Sequence, residues 1–398
     1  MPTRGRCSRS STRAERCLRD NSQVKILVAP DKFKGSLTAV EVASALRRGM
    51  LAAEPSVDCV LLPLADGGDG SVDAAITAGF QSVELTVDGP TGVPHTTIFA
   101  FDGSTAVVEV ASTCGLAQLP GGRLEPLHSS SYGVGQAIRA ALELRPERVV
   151  VALGGSASTD GGIGMLAALG VRFTGPEGPV VRADGSVLDS IETIDSSAIV
   201  DLRGARILAV SDVTNPLTGD AGAAAVFGPQ KGATSDEVTR LDEGLLALVD
   251  RAARSGFPDA AAYAITPGAG SAGGVGFGCL LLGGTIVSGA DFFLDLLRFD
   301  EHLVGCDLVV TGEGSLDDQT ASGKLVARVA ERSAPVPVVA VAGRLSVETS
   351  TLATLGISRA ITLSELTAEP TAGDAALSAR VLEQIGRMIV LERPVQAP

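Results

Sequence analysis

An α/β protein in two parts is what the sequence predicts. Three observations carry this: a strand–loop–helix–strand order at the start of the ordered chain, its return near the end, and a run of short β segments between them. The first strand is Val24–Ala29, a short apolar run of β character that Pro30 and Gly35 end. Thr38 and Glu41 have capping-box spacing, and Val42, Leu46 and Met50 then fall on one face of a helix. A strand at Cys59–Leu62, the loop Asp66–Gly70 and a helix from about Ser71 complete the opening unit. From Val83 the texture changes. Val83–Val87, Thr96–Phe101 and Ala106–Val110 are short β runs separated by Gly/Pro/Asp turns, as in an antiparallel insertion. Helix and strand signals then alternate: helix Ser131–Leu144, strand Arg148–Leu153, helix Gly162–Leu169, strand Arg206–Val210 and helix Asp236–Ala253. The crossover order returns with strand Asp307–Val310, helix Ser322–Arg332, strand Pro337–Val341 and strand Arg359–Leu363. The 398 residues suit two or three domains at about 150 residues each. The expected division is one α/β domain from residues 24–84 plus 290–395, with a second α/β domain, 85–289, inserted into it. Residues 1–23 are expected to be a disordered tail, with Arg at 4, 6, 9, 13, 16 and 19 and no apolar core of a secretory signal.

Composition excludes several classes of function. With 32 basic against 46 acidic residues the net charge is −14, which opposes binding to a nucleic-acid backbone. Aromatics are 3% with no Trp, too few for a base-stacking platform. Six Cys form no CxxC pair and three His form no cluster, so thiols kept reduced in a cytoplasm are the plain reading. Residues 260–290 carry no charge, yet nine of the 25 residues from 266 to 290 are Gly. At roughly 1 kcal/mol each in a helix interior, they make this a glycine loop leading into a buried element rather than a membrane span.

Chemistry is concentrated in six glycine-rich loops: Ala29–Ser36, Ala65–Ser71, Gly154–Gly164, Gly228–Ala233, Pro267–Gly274 and Thr311–Lys324. Several follow apolar strands directly, where Gly lets backbone amides approach an anion and a following helix adds its N-terminal donors. The chain has five Lys against 27 Arg, and four of the five (Lys32, Lys34, Lys231 and Lys324) lie in these loops. A lysine ammonium is a compact charge with three rotatable donors, suited to bridging phosphate oxygens. Carboxylates at Asp31, Asp66, Asp69, Asp160, Asp212, Glu313, Asp317 and Asp318 share these settings. Phosphoryl transfer needs those parts: carboxylates for Mg²⁺, cations for phosphate and a carboxylate to take the hydroxyl proton. Each acid alone is an ordinary turn-former, so the argument rests on the set. There is no Walker A motif, HRD or DFG. Gly268–Gly273 fits GxGxxG only literally, because Ala260–Thr266 before it makes a poor strand.

These loops, in this order, resemble one family, the bacterial glycerate kinases of the type that yields 2-phosphoglycerate. APDKFKGSLTA, ADGGDG, ALGGSASTDGGIGMLAALG, SDVTNPLTGDAGAA, FGPQKGA, PGAGSAGGVGFG and TGEGSLDDQTASGK carry the resemblance across about 300 residues. Two departures stand out: Val110–Gly115 replaces a Met and an Ala-Ser-Gly run, and Ser315 replaces a common cation. The resemblance implies a flavodoxin-like (Rossmann-like) domain holding both chain ends and an inserted domain with a mixed sheet, facing each other across a cleft. It also implies ATP, Mg²⁺ and D-glycerate as ligands. Composition adds the expectation of a cytoplasmic protein with no nucleic-acid or membrane partner; a homodimer stays open. Lys32, Lys34 and Ser36 are expected on phosphate or the glycerate carboxylate, and Asp66 and Asp69 as metal ligands or base. Ser156, Ser158 and Asp160, with the amides of Gly154 and Gly155, are expected to line the phosphoryl site. Asp212 and Asn215 are expected to orient metal or substrate hydroxyls, and Lys231 to neutralise phosphate. Glu313, Asp317, Gln319 and Lys324 are expected to close the site. Asp66, Asp160, Asp212 and Lys32 are the catalytic candidates, with Asp212 and Asp160 as metal ligands; which carboxylate is the base stays open. Rival readings are an NAD(P)-dependent oxidoreductase, on the GxGxxG match, and a non-catalytic sugar-acid-binding protein, which would have no need of a base.

Overall fold

The computed structural model describes residues 23–317 and 325–392, and two sheets organise it. The first has five strands in the order Ile357–Thr362, Val338–Leu345, Leu308–Leu316, Lys25–Val28 and Asp58–Leu61, every pairing parallel. Counted along the chain within this sheet, the order is the flavodoxin-like 2-1-3-4-5, and the winding reverses between Lys25–Val28 and Leu308–Leu316. Its strands are apolar almost throughout because both faces are covered. Ile26 and Val28 pack toward the helices Ala39–Ala53 and Ala375–Leu391, whereas Leu27 and Val309 pack toward the helices Gly289–Leu296 and Leu325–Ser333. The capping box forms as its spacing predicts, with Thr38 Oγ1 accepting from the Glu41 N–H and the Glu41 carboxylate accepting from the Thr38 N–H.

The second sheet has six strands in the order Thr285–Val287, Arg206–Val210, Arg148–Ala152, Thr105–Glu109, Pro94–Phe101 and Gln81–Asp88. The first three pairings are parallel and the last two antiparallel, so the sheet is mixed and the short β runs after Val83 form its antiparallel edge. Gln81–Asp88 crosses the expected boundary at residue 84 and pairs along its length inside this sheet. Elements outside the sequence expectation include Thr285–Val287, the helices Val110–Cys114 and Gly289–Leu296, the C-terminal helix Ala375–Leu391, and a small sheet of Gly178–Pro179, Arg172–Gly175 and Thr193–Asp195. The uncharged stretch 260–290 contains the helix Val275–Leu281, buried at every position. No helix among the described residues is long and apolar enough to cross a membrane.

The sheets share a core. Val149 and Val151 face away from the first sheet, but Val150, with Ala100, Val107 and Val210, joins Leu27, Ala29 and Val309 in one buried cluster. The helices Ser71–Thr77 and Gly289–Leu296 contribute Val72, Ala75, Phe293 and Leu294 to that layer. This packing brings loops at the ends of strands from both sheets against one another.

Candidate active site where the two sheets meet

Beyond Val28 the chain stays beside the third strand of its sheet, through Ala29 N–H to Val310 O (2.7 Å) and Asp31 N–H to Gly312 O (2.8 Å). It then closes on itself, with the N–H and C=O groups of Phe33 and Leu37 bonded to each other, which leaves Lys34 exposed at the tip. Asp31 and Lys32 remain at the base, at the point where the sheet reverses its winding. The Lys32 ammonium lies 3.6 Å from Asp31 Oδ1 and 3.4 Å from Asp66 Oδ1, so two carboxylates from distant segments bracket one cation.

The loop carrying Asp66 is wedged between sheets. Asp66 Oδ1 accepts from the Gly68 N–H at 3.0 Å, and the Gly154 N–H donates to Gly67 O at 3.1 Å. A Cβ on Gly154 would stand 2.4 Å from Gly68 Cα, so two glycine loops from different sheets touch backbone to backbone where no side chain fits. Asp212, after the strand Arg206–Val210, accepts from Ser288 Oγ and from the N–H groups of Gly289 and Ala290, and thus seats the first turn of the helix Gly289–Leu296.

The charges act on one another. Burial pushes Asp31 up to about 7 although Lys32 opposes it, and Asp66 and Glu313 add to the rise. Burial would raise Asp66 as well, but Lys32 and the Gly68 N–H outweigh it and hold that carboxyl below its ordinary value. Asp212 is raised by burial and by Asp66. Lys32 is held above its ordinary value because Asp31, Asp66 and Asp69 outweigh its burial. The structure therefore brings Lys32, Asp66, Asp69, Asp212 and Glu313 into one electrostatic group, together with Asp31, for which the sequence suggested no particular role. A cavity of about 290 Å³ opens beside it, lined among others by Asp31, Lys32, Lys34, Pro63, Asp69 and Asp73.

Other expected residues stand differently. Ser36 Oγ donates to Ser378 Oγ at 2.8 Å and ties the first loop to the C-terminal helix. Asp160 is 0% exposed and accepts from the N–H groups of Ser131, Gly162 and Gly164 and from Ser131 Oγ. Its carboxylate is taken up by the loop it was expected to serve, and holds that loop to the start of the helix Tyr132–Glu143. Ser156 and Ser158 are buried and bond each other, and Ser156 Oγ also donates to Ala272 O. Lys231 is 3% exposed, donates to Ser158 O, and is brought down to about 8 by burial against the pull of Asp160 and Cys114. Gly154 and Gly155 lie nearer the surface, and Asn215 Nδ2 donates to Ala221 O. Asp317 follows directly on the strand Leu308–Leu316, and Ser315 Oγ accepts from Arg344 Nε. Gln319 and Lys324 lie outside the described residues. The GxGxxG match does not follow a strand: it comes after the helix Ala260–Ala264, and a Cβ on Gly273 would be 2.0 Å from Ser158 O, so close backbone packing accounts for that glycine.

Two buried carboxylates, Asp184 and Glu109, carry no sequence expectation, and Glu109 is the one beside these loops. Glu109, 4% exposed at the end of the strand Thr105–Glu109, accepts from the N–H groups of Gly70 and Val72, both at 3.1 Å. Its signal was a lone acid in the apolar run Ala106–Val110.

Known proteins give a consistent picture. The model of the glycerate kinase family matches residues 26–390. A glycerate kinase of Bacillus subtilis (strain 168) is 40% identical over 344 residues, 84% of this chain and 88% of the relative. A glycerate 2-kinase of Escherichia coli (strain K12) is 38% identical over 335 residues, 81% of this chain and 86% of the relative. A solved structure of a protein assigned as glycerate kinase 2, from Salmonella typhimurium LT2, superposes with a TM-score of 0.75 at 35% identity, covering 93% of this chain and 98% of the other.

Proposed function

The chain belongs to the glycerate kinase family, and we propose that it transfers the terminal phosphoryl group of ATP, with Mg²⁺, to the 2-hydroxyl of D-glycerate, yielding 2-phosphoglycerate and ADP. The observation that carries this reading is the pairing of Asp31 and Asp66 on the Lys32 ammonium, beside a cavity of about 290 Å³. That volume suits a three-carbon acid better than a whole nucleotide, so the nucleotide extends along the loops outside it.

Two carboxylates driven apart in acidity divide the work. Asp31, near 7, accepts the hydroxyl proton as oxygen attacks phosphorus, since a base works best when its pKa lies close to the working pH. Asp66 stays ionised at that pH. Lys32, charged throughout, neutralises phosphate oxygens as the transferring group loosens from its leaving oxygen. Lys34, at the exposed tip, meets the glycerate carboxylate, and the glycine backbone at Gly154 and Gly155 lets phosphate come close. Among the described residues no group of three acidic, His or Cys side chains suits a metal ion. The donors near Lys32 are hard carboxylate oxygens, which fits Mg²⁺, an ion commonly held by one or two carboxylates plus substrate phosphates. Asp66 and Asp212 would hold it, and it would supply charge for the phosphates. Asp160 and Lys231 act by fixing the loop Gly154–Gly164.

Incubation with ATP, Mg²⁺ and D-glycerate, followed by ³¹P NMR, is expected to give the 2-phosphate resonance and glycerate-dependent ADP. A 3-phosphate product, or ADP formation indifferent to glycerate, would overturn the assignment.

A further inference from the structure

Glu109 is a costly way to cap a helix. The seven-residue helix Ser71–Thr77 begins at Gly70, which is left-handed (φ 92°) and has no side chain to offer its first amides. A Ser or Asp at a helix start meets such amides locally and in contact with water. Here the acceptor comes instead from the other sheet: Glu109 Oε2 takes both the Gly70 and Val72 N–H groups from a buried position. Glu109 itself immediately precedes the helix Val110–Cys114, yet its side chain makes no cap bond to that helix. It is aimed at the loop that carries Asp66 and Asp69.

We infer that Glu109 is a positioning residue: it clamps the loop Asp66–Gly70, which leaves the first sheet, to a strand end of the second, so that Asp66 is held at hydrogen-bonding distance from Lys32. The consequence for catalysis rests on the function proposed above, while the clamp does not. The groups facing Glu109 are Asp69 and Asp73 on the clamped segment and Lys32 on the first loop. Burial pushes the Glu109 carboxyl up to about 7 although the Val72 N–H opposes it; Asp69 and Asp73 add to the rise and Lys32 counters it. Ionisation therefore works against stability near neutrality, but it strengthens the two amide bonds, because a charged acceptor binds N–H more tightly than a neutral one.

The test compares Glu109→Gln and Glu109→Ala with the wild type at pH 8, in three readouts. The glutamine variant keeps shape and an acceptor oxygen but cannot ionise. It is expected to lower kcat about tenfold or more with little change in KM, to unfold at no lower temperature than the wild type, and to speed amide hydrogen exchange in residues 68–74. The alanine variant is expected to lose more in kcat and exchange protection. In the wild type, exchange in that segment, corrected for intrinsic chemistry, should rise as pH falls from 8 to 6, and in the glutamine variant it should not. A structural cap alone would lower kcat and unfolding temperature together, and that result overturns the inference. So does wild-type exchange in the glutamine variant. If the wild type proves to phosphorylate no glycerate, the function falls and the exchange comparison still decides the clamp.

Discussion

Asp31 and Asp66 share one ammonium and are driven in opposite directions by their settings. Asp31 and Glu109, both raised to about 7, hold protons in the folded state that the unfolded chain has released. The stability they contribute is complete below their ordinary values of 3.8 and 4.5, and is lost as pH rises through 7. Asp66 runs the other way: its contribution is present above its ordinary value and is lost as pH falls through its lowered one. Activity adds a separate demand, because a base must be ionised to accept a proton. With Asp31 as the proposed base, Asp31→Asn is expected to lower kcat by about 10²–10⁴-fold and to remove its share of the acid limb near pH 7, leaving the smaller share set by Glu109, while stability at pH 8 holds or improves. A pH–rate profile with thermal unfolding at pH 8 checks both halves. Lys32 and Asp66 were legible in the sequence, since lysine is scarce and both sit in glycine loops. The importance of Asp31 and Glu109 was not, because an acid's proton affinity depends on what buries it and which charges face it.

Among elements, the loop Gly154–Gly164 is held in place by the hydrogen bonds of its own acid. Asp160 has the setting of a catalytic acid in the sequence, a carboxylate among glycines and serines. In the fold its oxygens accept from three amides and a hydroxyl of its own surroundings. Removing it strands buried donors, each costing about 1–3 kcal/mol. Asp160→Ala is accordingly expected to destabilise the protein by about 3 kcal/mol or more, and urea denaturation measures it. An unchanged midpoint with lost turnover would instead make Asp160 a reacting group. The strands and helices themselves were readable: capping spacing set the start of the helix Ala39–Ala53, and apolar runs marked strands covered on both faces. Thr285–Val287 was hidden because three residues in a glycine-rich stretch show no periodicity.

In the whole molecule, one buried cluster runs from Leu27 and Val309 through the intervening helices to Val107, Val150 and Val210. Neither sheet can expose its face of that layer without stripping the other. The expected outcome is a single unfolding transition by calorimetry, with equal calorimetric and van't Hoff enthalpies. Two separate transitions would mean that the layer is weaker than its burial implies. The sequence by itself determined the succession of strands and helices, the glycine loops with their few lysines, and a family resemblance that the relatives bear out, since these depend on local pattern and residue order. Tertiary structure alone decided which acids meet. Asp31, Asp66, Glu109, Asp212 and Glu313 come from strands and the loops that follow them, far apart in the chain, and only the packing of two sheets across a shared layer sets their separations and their distance from water. Charge interactions and desolvation depend on those distances, and no spacing along the chain encodes them.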